Sequence, residues 1–173
     1  MKNTILINLE NENLHGNVLD VGFCNYGITY SLFKNGYDEI SVDYVEGKDE
    51  KEKIEVDFYD CCIVFFALSD IWLKHNRKKI LFDLMKHIKS EGIIYLWDLN
   101  KSYGKIFSNN LKVILPGGEV KIIKLKELNI LKDTSFESTK KIVETYFEIT
   151  DYTCSDNIYC IKGKKMPKHG LLV

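Results

Sequence analysis

The chain has 173 residues and a mass of 20.1 kDa, the size of one globular domain, and its 45% hydrophobic and 28% charged residues exclude a disordered or collagen-like chain. Twenty-four basic against 25 acidic residues leave a net charge of −1, so no global field draws in nucleic acid or an anionic membrane. A single arginine, Arg77, stands against 23 lysines, so the planar forks that read base edges are nearly absent and a sequence-specific nucleic-acid reader is not expected.

From the amino end, Met1 to Glu10 carries one lysine and polar residues interrupted by the short apolar run Ile5 to Ile7, and no secretory signal is expected. The first strand-like run is Asn17 to Gly22. A short helix follows from about Ile28 to Asn35, stopped by Gly36, and then a second strand, Glu39 to Val45. Cys61 to Leu68 is the longest apolar run; it has the length of a strand and falls far short of the roughly 20 residues of a membrane helix. Between Asn76 and Ser90 the residues Ile80, Leu81, Leu84, Met85 and Ile88 recur on one helix face, with Gly92 as the expected stop. Further strands are expected over Ile93 to Asn100 and Val120 to Leu128, the latter dotted with lysine like a protected edge strand, able also to form a dimer edge or touch an acidic partner. Thr134-Ser-Phe-Glu137 reads as a capping box opening a last helix with Phe136, Ile142, Val143 and Tyr146 on its face. Phe147 to Cys154 and Asn157 to Lys162 are joined too tightly for a parallel crossover and predict an antiparallel hairpin. Near-continuous apolar strands alternating with helices predict an α/β fold whose mostly parallel central sheet is covered on both faces.

The five cysteines, Cys24, Cys61, Cys62, Cys154 and Cys160, are odd in number and lack C-x-x-C spacing, so a reduced, cytoplasmic setting and no metal site are expected. Cys61 and Cys62 alternate faces of a buried strand and are read as packing. Cys24 precedes a helix amino terminus, a setting that lowers a thiol's pKa.

Chemistry is concentrated in Asn17-Val-Leu-Asp-Val-Gly22-Phe-Cys-Asn-Tyr-Gly27: an apolar strand, an acid near its end, and a glycine-containing turn into a helix. Glycine lets backbone approach a ligand closely. On the next strand Asp43 stands 21 residues after Gly22, where a carboxylate accepts hydrogen bonds from both hydroxyls of a ribose. Val18-Leu-Asp-Val-Gly22, Asp43-Tyr44, the strand opened by Asp60, the turn Lys89-Ser-Glu-Gly92 into Ile93 to Asp98, and the closing hairpin ending in Lys-Gly-Lys-Lys165 appear in one order. In that order the chain resembles the class I S-adenosylmethionine (SAM) dependent methyltransferases over about residues 17–165.

The resemblance implies a Rossmann-like three-layer sandwich, one domain over residues 1–165 with a loosely ordered tail over 166–173, and SAM as cofactor. It implies contacts from Asp20, Gly22, Phe23, Cys24 and Gly27 at the methionine end, Asp43 and Tyr44 at the ribose, Asp57 and Phe58 at the adenine, and Phe66 where methyl group and acceptor meet. Ser69, Asp70, Trp72 and His75 follow as substrate candidates; Ser69-Asp70 fits a helix cap equally, and His75 beside Lys74, Arg77, Lys78 and Lys79 also reads as a solvated face. Trp97 and Asp98 end a strand at a ligand position, with Trp97 read as core. The chain departs from the family in carrying Cys24 and Tyr26 where second and third glycines stand. Only 16 residues separate Asp43 from Asp60, so the third strand, over Ile54 to Phe58, is expected to be vestigial or missing. With 16 residues before the first strand the site is expected to be open, suiting a bulky acceptor, a homodimer or a lid supplied by a partner. Two functions remain at this point: methyl transfer to an unnamed acceptor, or a degenerate fold serving as a SAM-binding or protein-interaction module.

Overall fold

The computed structural model describes residues 4–12, 14–22, 27–33, 42–45 and 54–167. Six strands form the main sheet: β2 (Val18–Val21), β3 (Val42–Val45), β4 (Tyr59–Phe65), β5 (Ile88–Leu99), β8 (Phe147–Cys154) and β9 (Ile158–Lys165), in the order β3-β2-β4-β5-β9-β8. The first four run parallel; β9 pairs antiparallel with both β5 and β8, as the short Ser155-Asp156 connection demands. No strand forms over Ile54 to Phe58, where Asp57 instead turns with φ of +52°.

Alternation along the central strands sends Leu19, Cys62, Val64, Ile94 and Leu96 to one face and Val18, Cys61, Ile63, Phe65 and Trp97 to the other. On the first face lie α2 (Lys74–His87), through Leu81, Leu84 and Met85, and α3 (Phe136–Val143), through Ile142 and Val143. The second face is covered by α1 (Ile28–Phe33) and by a separate three-stranded sheet, β1 (Thr4–Asn8), β6 (Phe107–Ile114) and β7 (Val120–Glu127), in the order β1-β6-β7. A second sheet thus supplies much of one outer layer, packing Ile7, Leu111, Val113, Ile123 and Leu125 inward. As expected of its lysines, β7 is an edge strand, though of this smaller sheet. Burial raises the Cys61 thiol to about 12 and holds the Cys62 thiol well above its ordinary value, consistent with packing. Among the described residues no helix is long and apolar enough to cross a membrane.

Three local expectations are corrected. Helix α2 passes directly into β5 at Ile88, so Gly92 lies inside a strand rather than behind a helix. The capping box does not form: Thr134 is drawn inward by its N–H to the Lys101 carbonyl (2.8 Å), Ser135 becomes the N-cap, and the Phe136 N–H is taken by Asn100 Oδ1 (3.1 Å). Arg77 is not on a solvated face but is 1% exposed.

At the amino-terminal rim Asp60 accepts from the Asn17 N–H and from Lys89 Nζ, both at 2.8 Å, and these contacts hold its carboxyl below the usual range against the opposing effect of burial. Gly16, at φ of +78°, lies so close that a Cβ would stand 2.3 Å from Asp60 Oδ2. Gly16→Ala is expected to cost about 1–3 kcal/mol in a denaturant melt, and Asp60→Ala made alongside it should remove part of that cost by taking away the carboxylate, while the residue-60 Cβ, 2.8 Å from the new one, keeps the rest.

Candidate functional site

The parallel strands β2, β3, β4 and β5 end on one rim. The β2–β3 register places Leu19 opposite Asp43 and Asp20 opposite Tyr44, while β4 sets Ile63 against the other side of Asp20. Asp20 is therefore central, half-buried, and hydrogen-bonded to the side chain of Thr29 in α1. Burial raises its carboxyl from 3.8 to about 6, with the Thr29 bond offsetting part of the rise. Gly22 follows on the rim, and Gly27 re-enters the described chain at φ of +63°, a conformation glycine adopts at no steric cost. Phe23 and Cys24, with Tyr26, lie outside the described residues, as do the side chains of Asp43 and Tyr44.

Across β4 from this corner, Phe66 is 4% exposed and held at φ of +54°, its N–H donating to the Trp97 carbonyl at 2.8 Å. A bulky residue in the left-handed region is strained, and such strain collects at ligand sites. Trp97 packs as core against Phe65 and Tyr95, as read from sequence. Asp98 beside it is a girder: its carboxylate accepts from the Ser69 N–H at 2.8 Å and the Leu99 N–H at 2.7 Å. Burial lifts its carboxyl to about 6 against those bonds and the nearby Arg77 charge. Because Asp20 and Asp98 have raised folded-state values, their contribution to stability is full below 3.8 and is lost as pH rises through about 6.

The substrate candidates separate. Ser69 is buried, with its N–H on Asp98 and its Oγ donating to the Phe66 carbonyl at 3.1 Å; neither it nor Asp70 caps α2, whose N-cap is Leu73. Asp70, Trp72 and His75 are exposed on the same rim, Trp72 by 62%. Asp57 and Phe58 stand at the opposite, amino-terminal rim, because the chain enters β4 there without an intervening strand. Their N–H groups donate to the Lys86 and His87 carbonyls, and Asp57 pairs with buried Lys165 at 2.7 Å. The structure therefore does not bring them to the carboxyl rim where Asp20 and Gly22 lie.

Several rim residues had not been singled out for the site. Lys121 of β7 donates to the Gly27 carbonyl at 2.8 Å, tying the small sheet to the glycine turn. Arg77 donates from Nε to the Ile71 carbonyl at 3.0 Å and from an Nη to the Asp133 carbonyl. Lys101, 2% exposed, donates to the carbonyls of Lys105 (3.2 Å), Asn129 (2.8 Å) and Lys132. Three loops are thereby stitched together, and they carry the exposed Trp72, Leu73, Tyr103, Ile106, Ile130 and Leu131.

No family model and no curated protein matches the chain. Solved structures do. The glycopeptide N-methyltransferase MtfA, solved with SAM, superposes with a TM-score of 0.55 at 10% identity over 91% of this chain and 90% of that one. A SAM-dependent methyltransferase from Methanosarcina mazei gives 0.54 at 10% identity over 87% and 92%. The [4+2]-cyclase SpnF gives 0.62 at 10% identity over 89% and 76%. The chain has a class I methyltransferase-like fold.

Proposed function

We propose that this chain is a small SAM-dependent methyltransferase of Rossmann-like architecture that binds the cofactor across the carboxyl ends of β2, β3 and β4. The observation that carries the reading is the convergence of Asp20, the Asp43-Tyr44 backbone and strained Phe66 on three adjacent parallel strand ends. The residues fit such a group: a half-buried carboxyl suits a cationic ligand end, and a glycine turn leaves room for close backbone approach. When bound, SAM supplies an electrophilic methyl for in-line transfer to a nucleophile. The chain's own part is positional. Asp43 accepts from ribose hydroxyls, Gly22 and Gly27 admit the methionine end, Asp20 balances its positive charge, and Phe66 walls the reacting end. The acceptor approaches over the exposed rim of Trp72 and Leu73, which suits an acceptor with apolar surface. SpnF carries the same fold under the name of a cyclase, so the fold alone does not fix the chemistry.

Calorimetric titration with SAM and S-adenosylhomocysteine tests the reading. Micromolar binding is expected, weakened at least tenfold by Asp43→Ala. Because a cationic ligand favours ionised Asp20, whose carboxyl otherwise titrates at about 6, SAM affinity should fall about tenfold between pH 7 and pH 5. No heat at millimolar ligand, with binding appearing only after Cys24→Gly and Tyr26→Gly, would instead identify a degenerate fold.

A further inference from the structure

The outward face of the three-stranded sheet is unused by the site. Strand alternation turns Leu6 of β1, Lys112 of β6 and Ile122 of β7 outward in a single register row, and the neighbouring rows add Asn110 with Lys124, and Lys126. Every outward position of these strands is either uncharged or lysine, in a chain whose acids outnumber its bases 25 to 24. Ile122 is 73% exposed and Leu6 58%, so two large apolar side chains flank the lysine between them without cover. Among the described residues no ion pair engages Lys112, Lys124 or Lys126. The inward faces of the same strands are packed through Ile7, Leu111, Val113, Ile123 and Leu125, and Lys121 anchors β7 to Gly27, so the lysines stand on a rigid platform.

From this charge pattern we infer that the outer face docks an acidic protein segment, its carboxylates meeting Lys112, Lys124 and Lys126 and its apolar side chains covering Leu6 and Ile122. Strand spacing of about 4.8 Å across the sheet and about 6.8 Å between alternate residues along it places all three ammonium groups within one short segment's reach. A second copy of this face is disfavoured as occupant, because it brings lysines and no carboxylate to meet Lys112, Lys124 and Lys126. Nucleic acid is disfavoured because this face carries no aromatic side chain on which a base could stack and no arginine fork. The inference is independent of the cofactor site and survives or fails without it.

The test uses the whole protein and three fluorescein-labelled probes of equal length: a peptide alternating glutamate with leucine, its glutamine-for-glutamate counterpart, and single-stranded oligothymidylate. The acidic peptide is expected to bind with micromolar affinity that weakens as salt is raised from 50 to 500 mM, and the glutamine peptide at least tenfold more weakly. Lys112→Glu, Lys124→Glu and Lys126→Glu together should abolish acidic-peptide binding and create binding of a lysine-for-glutamate peptide. That gained affinity, together with an unchanged thermal melt, separates lost docking from lost folding. Absence of acidic-peptide binding, equal affinity for the glutamine peptide, tighter binding of oligothymidylate, or no gain of lysine-peptide binding by the charge-reversed protein overturns the inference.

Discussion

Arg77→Met is expected to destabilise the fold by about 3–5 kcal/mol, the usual consequence of removing one partner from a buried charged network. The guanidinium is 1% exposed and bridges the Ile71 and Asp133 carbonyls, one on the loop after β4 and the other ahead of α3. Methionine fills much of the volume but serves neither carbonyl, and it leaves buried Asp98 without its cationic neighbour. Lysine keeps the charge but lacks the fork that reaches two carbonyls at once, so Arg77→Lys should recover only part of the loss. Urea unfolding with a constant m-value measures both variants. A shift in midpoint worth less than about 1 kcal/mol for Arg77→Met would mean that the stitching of the rim loops contributes little.

Lys101→Met is expected to cost about 2–4 kcal/mol for a related reason. Its ammonium is held by three backbone carbonyls, from Lys105, Asn129 and Lys132, and burial lowers its pKa below the usual lysine value. Without the lysine those carbonyls face one another with no donor between them. Arg77 and Lys101 converge on the same segment, through Asp133 and Lys132, so the double variant should lose less than the sum of the singles by about 0.5–3 kcal/mol. Strict additivity in the same urea melts would show that the two loops are held separately. The ion pair of Lys132 with Glu127, at 2.6 Å, belongs to the same segment.

The central strands were legible because a sheet covered on both faces leaves continuous apolar runs. Cys61 to Phe65 and Ile93 to Trp97 are such runs, and both lie where the sequence places them. The closing hairpin was legible from the length of its turn alone. Strand β6 was not, since Phe-Ser-Asn-Asn-Leu-Lys-Val-Ile alternates with polar residues facing outward and carries no run of its own. Strand β1 has five residues, and its partner β6 lies about a hundred positions away, a pairing no local pattern announces.

At the site the same distinction holds. That Asp20 and Asp43 stand on neighbouring parallel strands could be read because spacing along β2 and β3 fixes which residues lie near the rim. Asp57 does not reach the carboxyl rim because, as the short connection from Asp43 to Asp60 foretells, no strand forms over Ile54 to Phe58, so the chain delivers it to the far end of β4. Arg77 carried a readable signal: it precedes Leu81 by four positions and Leu84 by seven, which puts it on the apolar stripe of α2 rather than with its lysine neighbours. Lys101 carried none, since its partners are backbone carbonyls that come together only in the folded chain.

Backbone amide shift mapping with S-adenosylhomocysteine at pH 7.5 tests the central claim most directly. Saturable shifts gathered at Asp20, Gly22, Gly27, Asp43, Tyr44 and Phe66, with Asp57 and Lys165 unmoved, are the result expected. Shifts confined to the groove of about 490 Å³ between β1 and the β8–β9 hairpin, or no shifts at millimolar ligand, would contradict a cofactor site on the carboxyl rim of β2, β3 and β4.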